Sequence, residues 1–135
     1  MIDPKQRAAE LEKASVDSAR EGLKALLLLN GGACIALLAF IANLAGNDKI
    51  DWGTYFVVKA AMRSLAWFAV GAGLSVLTWF FAYYSNQSYA TSIIQGKERA
   101  WSVGSLLANI GAFLALLSLM SFALGVFSIW GSASR

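Results

Sequence analysis

The sequence predicts an all-α integral membrane protein: three transmembrane helices preceded by a polar N-terminal helix. Three observations lead there. Of the 135 residues 58% are hydrophobic and only 14% charged, where a soluble domain carries about 25% charge. The charges are also gathered into blocks, so that residues 25–47, 64–96 and 100–134 hold none. Each gap exceeds the roughly 20 residues that cross a hydrocarbon core of about 30 Å. Finally, the apolar runs are continuous rather than alternating and the single proline is Pro4. That pattern points to helices, which satisfy their own backbone in lipid, and away from a β-barrel.

Residues 1–24 read as a polar helix. Asp3 suits the N-cap, Pro4 the first helical position, and Gln6 the reciprocal place in a capping box. Lys13–Asp17, Asp17–Arg20 and Glu21–Lys24 are spaced to meet on its surface. Nothing firmer than Gly22 stops this helix before Leu29, so it is able to run on into the first span. The mixture of acids and bases is too long for the short positive region of a signal peptide.

The first span is expected over about 24–45, within a membrane domain of 25–135. Residues 48–63 form an interfacial segment in which Trp52, Tyr55 and Phe56 suit the headgroup level. Residues 52–62 read either as an interfacial helix or as the first turns of the second. Lys59 and Arg63, four apart, are candidates for contact with lipid headgroups. The second span is expected over about 64–84, followed by a polar loop that can prolong the helix by a turn or two. The third is expected over about 101–130, with Trp101 and Trp130 at opposite interfaces.

The stretch LLLLNGGACIALL, residues 26–38, sets an asparagine and two glycines inside an apolar span. Helices associate in lipid by close backbone approach, which small residues permit. The candidate packing residues are Gly31 and Gly32 with Ala36 in the first span and Ala69 with Gly73 in the second. In the third they are Gly104, Ala108 and Ala112. Distances from the span ends put Asn30 and Asn109 at similar depth, with Ser75 or Thr78 offered by the second helix, as one intramembrane polar layer. On that reading Asn109→Leu would strip Asn30 of its partner. A pore lining and a helix break at Gly31-Gly32 are the alternatives.

Composition removes several functions. There is no His, the one cysteine, Cys34, lies inside a span, and no acid sits within any uncharged stretch. No nucleophile–base pair, metal-ligand set, phosphate loop or coupling carboxylate can be assembled. Neither an enzyme nor a cofactor is expected. The net charge of +3 lacks the basic stripe of a nucleic-acid binder. The function expected is a self-associating structural or accessory subunit, partnered by the bilayer, by itself and by a larger membrane complex through its N-terminal helix. The alternative is a homo-oligomeric pore or membrane-disrupting protein, a layout loosely similar to holin-like effectors, with no residue motif to carry the likeness. Transport of lipid or small solutes is a third reading. Residues 1–24 and 85–100 hold seven Lys and Arg against four elsewhere. The expected location is a bacterial-type inner membrane, N-terminus cytoplasmic and C-terminus outside.

Overall fold

A computed structural model describes residues 4–46, 52–96 and 98–133. Helix α1 spans Pro4–Ala45, α2 spans Trp52–Gln95 and α3 spans Glu98–Ala133. Asp3, residues 48–51 of the interfacial segment and the end of the C-terminal tail lie outside the described residues. At 1.5 Å per residue the helices are about 63, 66 and 54 Å long. All three are long and apolar enough to cross a membrane.

The helices outrun the spans read from the sequence. α1 is continuous through Gly22 and through Gly31-Gly32, with no break. Residues 52–63 are the opening turns of α2, and the polar segment after Tyr84 prolongs it by about three turns to Gln95. The charge gaps mark where a helix turns apolar, but helical propensity persists beyond them because Ala, Lys, Gln and Met are all good formers. Gly46 N–H closes the last turn of α1 on Ala42 O at 3.2 Å. Gly96, with φ +64°, gives α2 its left-handed stop. Glu98 follows in the first turn of α3, where a negative charge suits the helix dipole.

α2 and α3 form a tight antiparallel hairpin. Along α2 the buried positions Ala61, Ser64, Phe68, Gly71, Ser75 and Thr78 step by alternating threes and fours. Along α3 the buried positions Gly104, Gly111, Ser118 and Gly125 recur every seven residues. A seven-residue repeat keeps one face toward a partner when the pair supercoils left-handedly. The register sets Gly104 against Ser85, Gly111 against Thr78, and Ser118 against Gly71. Ser85 Oγ donates to Gly104 O at 2.7 Å, and Ser118 Oγ donates to Gly71 O at 2.8 Å. A Cβ added at Gly111 would lie 3.7 Å from Thr78 O. Aromatic pairs flank the contact, Tyr89 on Trp101 with ring centroids 4.8 Å apart near the turn and Phe68 on Phe122 at 5.3 Å further along.

The interior is small and polar, and the exterior is large and apolar. Among the described residues only Ala61 and Phe68 are buried apolar side chains, whereas Asn30, Ser64, Ser75, Thr78, Ser85, Ser118 and Ser121 are buried polar ones. Outside stand Leu28 at 74% exposure, Phe127 at 67% and Trp130 at 69%. Hydroxyls elsewhere return to their own helix, as Thr78 Oγ1 does to Leu74 O at 2.8 Å and Ser88 Oγ to Tyr84 O at 2.9 Å.

The glycine positions give a direct check on the register. A Cβ at Gly125 would lie 2.8 Å from Phe68 Cδ1, while one at Gly73 meets nothing within 4 Å. Gly125→Ala is expected to lower stability by about 1–3 kcal/mol through overpacking. Gly73→Ala should be neutral or gain about 0.5–1 kcal/mol of helix propensity. Unfolding in mixed detergent micelles measures both, and equal behaviour of the two variants would contradict the pairing.

Candidate functional site

The most constrained place in the molecule is where all three helices meet. Asn30 on α1 is fully buried. Its Nδ2 donates to Leu26 O at 3.0 Å, one turn back on its own helix, and to Ser118 Oγ on α3 at 3.3 Å. Ser118 Oγ lies 2.8 Å from Gly71 O and 2.9 Å from Ser75 Oγ, and Ser75 Oγ lies 3.0 Å from Gly71 O. A hydroxyl donates once and accepts twice. Ser118 can therefore donate to Gly71 O while accepting from Asn30 and Ser75, which uses its full capacity.

Gly71 makes this geometry possible. A Cβ there would collide with the Asn30 amide. The Leu26 and Ser118 contacts fix which end of that amide is nitrogen, and Oδ1 is left against Gly71. Among the described residues Oδ1 finds no hydrogen-bond donor, and the buried Ser64 Oγ likewise has no partner. One turn along, Ser121 Oγ on α3 donates to Trp67 O on α2 at 2.6 Å. Three serines thus reach across the hairpin to backbone carbonyls, which only closely approaching helices allow.

The structure brings Asn30 and Ser75 together and buries Thr78 one turn away against Gly111. It does not bring Asn109 there, and the sequence reading is corrected on this point. Asn109 is exposed. It lies nine residues before Ser118, about 13 Å along the axis, and two residues before the buried Gly111, so it is rotated about 200° from the packed face. The depth argument failed because it counted from Lys24 and Trp101 as if both marked one level. The Asn30–Ser118 bond places Lys24 six residues but Trp101 seventeen residues from one shared layer, so the two do not mark one level.

The packing residues need a similar correction. Gly104 is buried, but Gly32, Ala36, Ala69, Gly73, Ala108 and Ala112 are exposed and Gly31 is half-buried. A row of residues four apart turns about 40° per step on an α-helix, whereas a row seven apart turns only about 20°. Long helices that pack along their whole length follow the second row. The missed residues, Gly71, Gly111, Ser118 and Gly125, stand in it, and the seven-residue recurrence of small residues was the signal available. Lys59 and Arg63 are both exposed on α2.

Among the described residues no three His, Cys, Asp or Glu side chains gather as a metal site requires. The buried layer contains amide, hydroxyl and carbonyl groups and no ionisable one. The chemistry it supports is hydrogen bonding between helices. The chain matches no protein-family model, no curated protein and no solved structure.

Ser118→Ala is expected to cost about 1–2 kcal/mol, since it breaks the bridge between three helices and leaves Asn30 Nδ2 only its own-helix contact with Leu26 O. Asn109→Leu should change stability by less than about 0.5 kcal/mol. The two are compared by denaturant titration in the same micelle, and a large loss for Asn109→Leu with a silent Ser118→Ala would reverse the assignment.

Proposed function

We propose that this chain is an integral membrane protein whose role is structural: a self-associating subunit that docks through α1. The distribution of residues supports the membrane reading. Each large apolar side chain held in water forgoes about 1.5–3 kcal/mol, and the surface carries many, while the interior is filled with hydroxyls. Lipid reverses that balance. The excess of cations on the side of residues 1–24 and 85–100 favours placing that side in the cytoplasm.

The observation that carries the docking reading is the free face of α1. Ala25, Leu29, Gly32, Ala36, Ala39 and Asn43 step by alternating fours and threes, and all six are exposed. This is the spacing and nearly the residue size by which α2 and α3 pack. Within one chain α1 uses only its opposite face, centred on Asn30. Asn43 makes no hydrogen bond among the described residues, and an amide at the edge of hydrocarbon gains from a partner. Two α1 helices packed in parallel would pair Asn43 with Asn43. The polar half of α1, residues 4–24, would then project beside its twin as an arm for a larger assembly.

The test is the mass of the protein in nanodiscs. Wild type is expected as a dimer or small closed oligomer without ion flux in liposomes. Gly32→Leu with Ala36→Leu should shift it to monomer while leaving helix content unchanged. Ala36→Cys in a Cys34→Ser background should cross-link. A monomeric wild type would end the docking reading, and a conducting ring would replace it with the pore.

A further inference from the structure

We propose that the groove between the N-terminal half of α1 and the α2–α3 hairpin binds one anionic phospholipid, with its phosphate at Arg20 and an acyl chain along the groove floor. The proposal rests on the membrane reading above and adds to it a specific ligand. The groove has a volume of about 640 Å³ and is lined by all three helices. It opens where close contact ends. α1 meets the hairpin tightly at Asn30, and from Leu26 back to Val16 it stands off and faces the hairpin across a gap. The floor stays empty because its residues are small: Ala82 from α2, with Ala108, Gly111, Ala112 and Ala115 from α3. Leu23, Leu26 and Trp79 form apolar walls.

The polar end carries one charge. Among the described residues Arg20 is the only charged one lining the groove. It forms no ion pair among the described residues, whereas Lys24, one turn on, is held by Glu21 at 2.7 Å. Asn86 and Tyr89 line the same end, and their amide and hydroxyl make no hydrogen bond among the described residues. A guanidinium, an amide and a phenol without partners suit a phosphate and its ester oxygens.

The depth agrees. Counted on α3, whose uncharged stretch 100–134 centres near Ser118, the Asn30 layer is near mid-membrane. Arg20 is ten residues from Asn30, about 15 Å, which is half the hydrocarbon thickness and the level at which headgroups begin.

The experiment uses nanodiscs of equal phosphatidylglycerol and phosphatidylcholine, followed by native mass spectrometry after release into mild detergent. Wild type is expected to retain one phosphatidylglycerol per chain, preferred over phosphatidylcholine by about tenfold, as one charge-assisted contact provides. Arg20→Gln should bring the two lipids to near parity. Gly22→Leu and Ala112→Phe each put bulk into the groove, the first at a site where an added Cβ meets nothing within 4 Å. Both should lose the retained lipid without loss of helix content. Retention of phosphatidylglycerol by both filled variants would reduce Arg20 to general surface attraction and overturn the site. An unaltered preference in Arg20→Gln would do the same for the headgroup contact. Wild type that enters nanodiscs but emerges without lipid would overturn the groove alone, and wild type that fails to enter them would overturn the membrane reading with it.

Discussion

The close approach of α2 and α3 is the constraint from which the rest follows. Neither helix offers the other a large apolar surface, and in lipid such a surface would gain nothing over the acyl chains it displaced. What the pair offers is absence of bulk. Gly104, Gly111 and Gly125 remove side chains where Tyr89, Thr78 and Phe68 need the room. Helix backbones then come close enough for Ser85, Ser118 and Ser121 to donate to carbonyls of the opposite helix. Those bonds are worth roughly 0.6 kcal/mol each on average in membranes. They are modest alone, but they are directional, and a shift of one residue would break all of them together.

Asn30 converts the hairpin into a three-helix molecule. It is fully buried, and it docks on a glycine of α2 while bonding a serine of α3 that is itself bonded to α2. The contact can form in one register only, because Gly71 is the residue whose missing side chain admits the amide. Above and below this level α1 is held by half-buried, mostly apolar residues such as Leu23, Leu26, Cys34, Leu37, Ile41 and Leu44. The consequence is a helix pinned near its middle, with one free face along its apolar half and a standoff along its polar half. The proposed docking face and the proposed lipid groove would both follow from that single-point attachment.

Much of this protein is set by the sequence alone. The charge-free stretches determine three long apolar helices, each long and apolar enough to cross a membrane. The lone proline at the start marks where the first helix begins. The asparagine and glycines at residues 30–32 announce a close polar contact in the first span. Which groups complete that contact is a different kind of information. Gly104, Ala108 and Ala112 look like one stripe, and so do Gly104, Gly111 and Ser118. Asn109 and Ser118 are both polar residues on α3. Choosing between them requires the relative rotation of two helices and their stagger along the helix axis, and neither quantity is written in any single helix. The tertiary structure decides them because a 3.5-residue supercoil keeps the seven-residue row in contact over the full length of the hairpin, and because the Asn30 amide fits over Gly71 alone.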